Sequence, residues 1–499
     1  MESRKFITPF VKQCFVTAAV GANIISFGCV CGFPGILLPQ LKSDDSPIPL
    51  SKEAESWIAS TLALSLLLGN FVTTHIMERL GRKPAHYIVS VVAIVGWYIT
   101  ILATSVEALI AGRLLLGISG GILMILRSIL IGEYTSPRNR GAFLTTVSLT
   151  QAFGIFFVHL MGSLLSWQKT AFICVFFPFT SLVMITYTPE SPSWLLAKGR
   201  YDECRTVFRW LRGIEEDQEL EDMINARKLF NEEAIKENKT NGLAHLLTII
   251  RKKEFYKPIM VMIHMNAMSQ FSGGTTMASY STVILGLLMG SNTNAHFWMV
   301  VLDTQRIIFN AVAVYVINRV KRRVMVFSTG GLSVACHFAI TIYAYCRYHG
   351  WEYDAMWLPA LLINLQFFAV AVGTVPMPQV IGGEVFPLEY RSIGGTISLT
   401  AAAGMMFLVL KSFPSLIDST GLQGTYLLYA VIILVNLIIV LIMLPETKGK
   451  TLQQIEDEFR GRLMTLEELE SRISLSSNPV ESFKRKLSEK RCSIPVLVQ

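Results

Sequence analysis

The sequence predicts an all-α membrane protein with twelve transmembrane helices in two pseudo-symmetric halves of six. Composition is the first observation behind this prediction: of 499 residues, 52% are hydrophobic and only 16% are charged. The apolar residues gather into runs of roughly the 20 residues that a helix needs to cross a bilayer. The second observation is a set of charged motifs that occurs twice in the same order, as expected of a membrane protein with an internal repeat.

The predicted spans fall into two groups of six around a polar segment. We place them at residues 14–38, 57–76, 85–105, 107–131, 142–165, 169–188, 257–289, 296–317, 324–346, 357–382, 393–413 and 424–444. The predicted organisation is an N-terminal half (1–188), a cytoplasmic helical linker (189–255), a C-terminal half (256–445) and a cytoplasmic tail (446–499). Helical spacing in Tyr201–Arg212 indicates that the linker contains amphipathic helices.

Basic residues indicate the orientation in the membrane. Lys and Arg cluster after even-numbered spans, as at Arg79–Lys83 and Arg319–Arg323, and are sparse in the other loops. Because cytoplasmic loops carry the excess of Lys and Arg, both termini are predicted to be cytoplasmic. The plasma membrane is the expected location, as part of the functional hypothesis given below. The net charge of +8 is spread between apolar runs, so it predicts contact with the lipid bilayer and not with nucleic acid.

Three charged motifs occur once in each half. Each of the two central motifs has a Glu seven residues before an Arg. The pairs are Glu78–Lys83 with Asn318–Arg323, Glu133–Arg140 with Glu384–Arg391, and Pro189–Trp194 with Pro445–Lys450. One such match would be weak, but three in the same order indicate duplication within one fold.

These motifs also carry a family resemblance. The matching elements are Arg79–Lys83, Arg113 with Gly117, Glu133–Gly141, Pro189–Leu195, Gln270–Gly273, Glu384–Arg391 and Pro445–Gly449. Through them the chain resembles the sugar porter family of the major facilitator superfamily, and within it the insect facilitated trehalose transporter-like group. The resemblance implies the major facilitator fold and transport of a hexose or trehalose-like disaccharide by facilitated diffusion through alternating access.

The repeated charges can form ion pairs, since a carboxylate and a guanidinium gain from bidentate pairing. The resemblance implies that such pairs form a latch, which ties the two halves together on the cytoplasmic face and breaks as the halves rock. The residues expected in the latch are Glu133, Arg140, Glu384, Arg391, Arg79, Arg82, Arg322 and Arg323. The alternative is that these charges only anchor the helices at the membrane surface.

Polar side chains within the seventh span predict a substrate site, because polar groups in a span seldom face lipid. The resemblance adds positions in the fifth and tenth spans. The predicted substrate-binding residues are Gln270, Ser269, Thr275, Ser148, Gln151 and Gln379, and the predicted hinge is Pro376 and Pro378. For Gln270, the alternative is an interhelical hydrogen bond. Ala402 and Ala403 stand where glucose carriers place Asn and Trp, so glucose specificity is not implied.

Ionisable residues within the spans bear on substrate charge and energy coupling. Arg127 either snorkels or joins the latch, or else faces the cavity and favours an anionic substrate. Asp303 and Arg306 are spaced to pair with each other, and Asp303 with His159 is an alternative proton relay. Val30 takes the place where proton-driven relatives carry Asp, which favours facilitated diffusion.

A sugar uniporter is therefore the predicted function. The alternatives are a proton-coupled or anionic organic solute carrier of the same fold, and a receptor that senses a nutrient without moving it. The sequence contains no evident catalytic dyad or phosphate-binding Gly-rich loop, and its eight cysteines lack metal-ligand spacing. We therefore predict no enzymatic activity, no cofactor, no metal and no obligate protein partner.

Overall fold

The computed structural model describes residues 8–43, 46, 48–221, 223–225, 252–290, 293–351, 357–387, 391–450 and 452–462. In these ranges the description includes side chains except at residues 137–142, 144–145, 318, 391–392 and 452–453. This part of the chain is α-helical with short connections and contains no strand, as the sequence predicts.

The helices form two halves with short helices between and after them. The first half consists of α1 (Pro9–Leu41), α2 (Lys52–Arg79), α3 (Arg82–Ile101), α4 (Val106–Tyr134), α5 (Pro137–Leu164), α6 (Trp167–Cys174) and α7 (Phe176–Thr186). Helices α8 (Pro192–Ala197) and α9 (Tyr201–Arg212) follow it. The second half consists of α10 (Lys253–Phe271), α11 (Gly274–Met289), α12 (Ala295–Arg319), α13 (Arg322–Tyr348), α14 (Trp357–Ala369), α15 (Pro376–Val385) and α16 (Arg391–Met443), with α17 (Leu452–Arg460) after it.

Several helices begin at a polar cap. The side-chain oxygens of Ser51, Ser105 and Asn294 each accept a hydrogen bond from the N–H three residues later, at 3.1, 3.3 and 3.1 Å. A cap of this kind satisfies one of the backbone donors that the first helical turn leaves without a partner. These caps therefore set where α2, α4 and α12 start.

Twelve membrane crossings follow from these helices. In the described part of the chain, ten helical segments are long and apolar enough to cross a membrane. One of them, α16, has 53 residues and a non-helical Gly421; its length of about 80 Å exceeds twice the bilayer core and accounts for two crossings. Helices α10 and α11 together form one further crossing that is interrupted at Ser272–Gly273. The prediction of twelve transmembrane helices is confirmed.

Small residues let the helices approach closely within a half. Helix α1 packs on α5 and α2 packs on α4. Gly28 of α1 faces Gly154 of α5, and a Cβ added at Gly28 would lie 2.3 Å from the Gln151 carbonyl oxygen. Close backbone contact through glycine is a common basis for helix association in membranes. Large apolar side chains such as Phe71, Phe172 and Ile442 are exposed on the outer surface, where lipid replaces water.

The two ends of the bundle differ in charge. The basic end holds Arg79–Lys83, Pro189–Trp194, Arg319–Arg323 and Pro445–Lys450. The opposite end, which holds Lys52, Gly290 and Asp418, is called the far end below.

The two halves meet through three helix pairs: α2 with α16, α5 with α12, and α1 with α11. At the far end, Lys411 donates a hydrogen bond to Ser56 Oγ at 2.8 Å, and its ammonium lies over the Trp57 ring. Nearer the middle of the bundle, His159 of α5 pairs with Asp303 of α12. Side chains from both halves therefore hold the far end closed.

Candidate functional site

A cavity of about 230 Å³ lies between the two halves. Its wall is built from both of them, with residues of α1, α2, α4 and α5 on one side and of α10–α12, α15 and α16 on the other. All six predicted substrate-binding residues line it: Ser148, Gln151, Ser269, Gln270, Thr275 and Gln379. The structure thus brings together residues that lie up to about 230 positions apart in the sequence, although the binding role of each stays a prediction.

The interruption between α10 and α11 places the polar residues of the seventh crossing on the cavity wall. Gly273 has a φ of +96°, a left-handed conformation that residues with a Cβ disfavour. The Gln366 amide donates to the Ser272 carbonyl at 3.0 Å, which satisfies an acceptor that the broken helix leaves free. Sequence reasoning missed Gln366; a buried Gln within an apolar span was the available signal.

Replacing Gly273 with alanine is expected to destabilise this interruption. The new Cβ would lie 2.1 Å from the Gln366 amide nitrogen, and the residue would occupy a strained conformation that costs about 1–3 kcal/mol. We expect a lower melting temperature of the purified protein and reduced uptake. Gly286→Ala is the matched control because its Cβ would meet nothing within 4 Å. Equal melting temperatures for the two variants would contradict this account.

Amide and hydroxyl groups dominate the polar part of the wall. Thr275 donates its hydroxyl to Gln270 Oε1 at 2.7 Å. This bond joins α10 to α11 within the seventh crossing, whereas the alternative expected a bond to a different crossing. Asn266, a wall residue that sequence reasoning missed, donates to Ser398 Oγ at 3.0 Å. In the described residues, no hydrogen bond engages the Gln270 amide nitrogen. Its two N–H donors are free for a ligand.

The apolar part of the wall has few rings. Phe27 is its aromatic side chain among the described residues, and Ala402 and Ala403 are both at the cavity surface. Pro378, one of the two predicted hinge residues, also lines the cavity. A π-helical turn, Val370–Thr374, ends two residues before Pro376, so the tenth crossing is irregular next to the predicted hinge.

Two arginines lie on the same wall. Arg127 and Arg306 both line the cavity, so Arg127 follows the cavity-facing alternative and not the snorkelling or latch alternative. The expected pairing of Asp303 with Arg306 is wrong, because Asp303 pairs with His159 across the two halves. His159 Nε2 also lies 2.9 Å from the Gly32 carbonyl oxygen. Tertiary packing has outweighed the local three-residue spacing here.

The duplicated charges form two matching clusters at the basic end. In the first half, Arg82 donates to both Glu133 carboxylate oxygens at 3.0 and 2.9 Å, and Ser191 donates to the same carboxylate. In the second half, Arg322 donates to Glu384 at 3.0 and 3.3 Å, and Thr447 donates to Glu384 at 2.6 Å. The arginine, the glutamate and the hydroxyl residue of the first cluster therefore have the same partners as their counterparts in the second cluster.

Both pairs join residues of the same half, which differs from the expected tie between the halves. Arg79 is exposed, and the Arg323 guanidinium donates to the Leu441 carbonyl at 2.9 Å. Among the described side chains, neither guanidinium pairs with a carboxylate, although the Arg323 backbone N–H donates to Glu446 at 3.1 Å. The side chains of Arg140 and Arg391 lie outside the described ones. A tie between the halves that involves them stays a prediction.

A second carboxylate completes each cluster. Glu190 accepts from the Arg82 backbone N–H at 2.9 Å, and Glu446 accepts from that of Arg322 at 2.9 Å. Burial raises the pKa of Glu190, and backbone hydrogen bonds offset this only in part. Burial acts in the same direction on Glu446, but its backbone hydrogen bonds prevail and lower its pKa. As pH falls, the Glu190 carboxylate is therefore protonated before that of Glu446.

Comparison with known proteins agrees with this architecture. The family described as sugar (and other) transporter matches residues 14–459. The chain is 26% identical over 478 residues to the facilitated trehalose transporter Tret1 of Drosophila yakuba, covering 94% of this chain and 55% of the relative. It is 26% identical over 449 residues to Tret1 of Bombyx mori, covering 89% and 86%. The chain spans about half the length of the Drosophila relatives it matches.

Solved structures show the same fold at lower identity. The proton:xylose symporter XylE bound to 6-bromo-6-deoxy-D-glucose superposes with a TM-score of 0.71 at 16% identity, covering 91% of this chain and 100% of XylE. The human organic anion transporter MFSD10 superposes with a TM-score of 0.58 at 14% identity, covering 87% and 100%. These similarities establish the major facilitator arrangement of the helices.

Proposed function

The chain belongs to the sugar (and other) transporter family, and from this premise we propose that it carries a sugar across a membrane by facilitated diffusion. As a member of that family it is a multi-pass transporter and not an enzyme. The observation that carries the proposal is the convergence of six predicted polar residues from both halves on one cavity between the halves. A site at the interface of two repeats is where alternating-access transporters bind their substrates.

The substrate proposed is a hexose or a trehalose-like disaccharide. Similar insect proteins are named facilitated trehalose transporters. Gln270, Ser148 and Ser269 line the wall, and their amide and hydroxyl groups are donors and acceptors of the kind that bind sugar hydroxyls. Because Phe27 is the aromatic ring on the described wall, hydrogen bonds and not ring stacking carry most of the proposed recognition.

For alternating access, we propose that the two halves move as units. The pairs Arg82–Glu133 and Arg322–Glu384 would act as braces that keep each half rigid at the basic end. The contacts at the far end would break as the halves rock, and the irregular tenth crossing near Pro376 would bend. Positive loops face the cytoplasm, so we place the basic end and both termini on the cytoplasmic side of the plasma membrane.

Uptake in oocytes tests the proposal. We expect radiolabelled trehalose, glucose or fructose to enter down its gradient, and Gln270→Leu to reduce uptake roughly tenfold because a sugar hydroxyl loses its partner. Gln305→Leu on α12 is the matched control, since Gln305 is not on the cavity wall. Absence of uptake of every sugar tried, neutral or acidic, by protein confirmed at the cell surface would overturn transport and favour a receptor.

Proton-coupled uptake is a second candidate, and the Asp303–His159 pair is the observation that favours it. Both groups are ionisable and they join the two halves within the membrane-crossing region, where such residues often mark proton pathways. Uptake measured at acidic and neutral pH separates the candidates. Strong stimulation by acid, lost in Asp303→Asn, would replace facilitated diffusion with symport.

A further inference from the structure

Two positive charges line the cavity, one from each half, and no negative charge is among its described lining residues. Arg127 is contributed by α4 of the first half and Arg306 by α12 of the second. Among the described residues that line the cavity there is no Asp or Glu. A neutral substrate needs no such charges, and intramembrane ionisable residues are costly enough that they usually have a function.

Among the described residues, neither guanidinium has an ion-pair or hydrogen-bond partner. In the described part of the chain, no ion pair or hydrogen bond engages the Arg127 side chain, which is 7% exposed. Arg306 Nη1 is buried and has no partner. Asp303 is within electrostatic range of Arg306, but its carboxylate pairs with His159. Two buried donors are thus left with unmet hydrogen-bonding capacity.

A third arginine adds to the positive charge behind the wall. Arg113 is 1% exposed and donates to the Val30 carbonyl at 3.4 Å, while its Nε and Nη2 atoms have no partner. Cys31 of the cavity wall is within electrostatic range of Arg113, Arg127 and Arg306. Like charges in a medium of low dielectric constant repel strongly. An anion bound at this place would offset that repulsion.

We propose, resting on the transport of a sugar proposed above, that the substrate carries an oxyanion, a carboxylate or a phosphate, which binds between Arg127 and Arg306. The planar guanidinium group matches both kinds of oxyanion through paired N–H donors. The ring hydroxyls of the same molecule contact the Gln270 amide and its neighbours. Because the arginines belong to different halves, the bound anion also draws the halves together around the substrate.

The test compares acidic with neutral sugars in oocytes. Radiolabelled glucuronate and glucose 6-phosphate represent the two oxyanions, glucose and trehalose are the neutral sugars, and lactate is an anion without a sugar ring. We expect uptake of at least one acidic sugar, accompanied by a substrate-dependent current. Arg127→Gln and Arg306→Gln should each raise its half-saturating concentration roughly tenfold. Arg200→Gln is the control, since Arg200 pairs with Glu203 on the surface and is 48% exposed, and it should leave that concentration unchanged.

Folding defects are separated from binding defects in two ways. Arg127→Lys keeps the charge but loses the forked donor geometry, so we expect an intermediate effect with normal surface expression. In the wild-type protein, which needs no substitution, acidic sugars should inhibit uptake of the labelled substrate at lower concentration than neutral sugars. Equal inhibition by both classes would overturn the anion site.

The remaining outcomes distinguish the two proposals. Uptake of neutral sugars alone, unaffected by Arg127→Gln, would overturn the anion site and leave sugar transport standing. Uptake of lactate as efficient as that of the acidic sugars would support the anion site and overturn sugar as the substrate class. No uptake of any probe by protein at the cell surface would overturn both.

Discussion

Replacing Asp303 with alanine is expected to shift the conformational equilibrium toward a state that is open at the far end by a factor of about a hundred to a few thousand. The side chains of His159 and Asp303 are 1% and 6% exposed, and removing one partner of a buried pair costs about 3–5 kcal/mol. Each 1.4 kcal/mol corresponds to about a tenfold change in population. This free-energy cost destabilises only the state in which the halves are in contact at the far end. In the open state, water can hydrogen-bond His159 in place of Asp303.

Cysteine labelling measures this shift. Ser56 is 5% exposed and lies in the contact between the halves, so Ser56→Cys, in a background without native cysteines, should react faster with a membrane-impermeant maleimide when Asp303 is replaced. Asp418→Ala is the matched control, since Lys52 and Asp418 also join the halves but are 80% and 51% exposed. Exposed pairs contribute about 0–1 kcal/mol. Equal labelling rates in the two variants would contradict the role of the buried pair.

Replacing Glu384 with glutamine is expected to destabilise the folded protein by about 1–3 kcal/mol. The Arg322 and Glu384 side chains are 13% and 27% exposed, so water only partly replaces the lost ion pair. A glutamine amide has one acceptor oxygen, whereas a carboxylate has two. The N–H donors of Arg322 and the Thr447 hydroxyl would therefore compete for a single acceptor. Glu133→Gln should have a similar effect, because Arg82 and Ser191 are its matching partners.

The melting temperature of the detergent-purified variants checks this expectation. Glu203→Gln is the control: Glu203 pairs with Arg200 on the surface, where the two side chains are 56% and 48% exposed, and a pair of this kind contributes about 0–1 kcal/mol. A melting temperature for Glu384→Gln that matches the wild type would show that the charge repeat has no structural role in the folded state.

Much of the fold is predictable from the sequence because the bilayer imposes a length on each crossing. The twelve spans follow from apolar runs, and their order in two halves follows from the repeated motifs. Two features of the helices could not be predicted from the sequence. The predicted seventh span, 257–289, is broken at Gly273 because Gln366, 93 residues away, completes the local hydrogen bonding. In α16, two predicted spans appear as one helical segment with Gly421 at the reversal.

The site divides in the same way. Gln270 could be placed on the cavity because polar groups within a span seldom face lipid, and Gln151 and Gln379 could be placed there through the family resemblance. The hydrogen-bond and ion-pair partners of the buried polar residues could not be predicted, since spacing along one helix says little about the rotation and packing of neighbouring helices. Asp303 illustrates this limit: Arg306 is the closer residue in sequence, but His159 of another helix is the partner in the structure. The charge clusters show the same limit. Lys321 stands at the position equivalent to Gly81, and this difference does not prevent the ion pair between Arg322 and Glu384.

The self-contained charge clusters have a consequence for biosynthesis. Glu133 finds Arg82 and Ser191 within the first half, so a nascent chain that has been translated through Ser191 already contains the partners of that carboxylate. The first six crossings can therefore settle in the bilayer while the ribosome is still making the linker. The second half repeats the process on its own, and the pair between His159 and Asp303 forms only when the two finished halves dock.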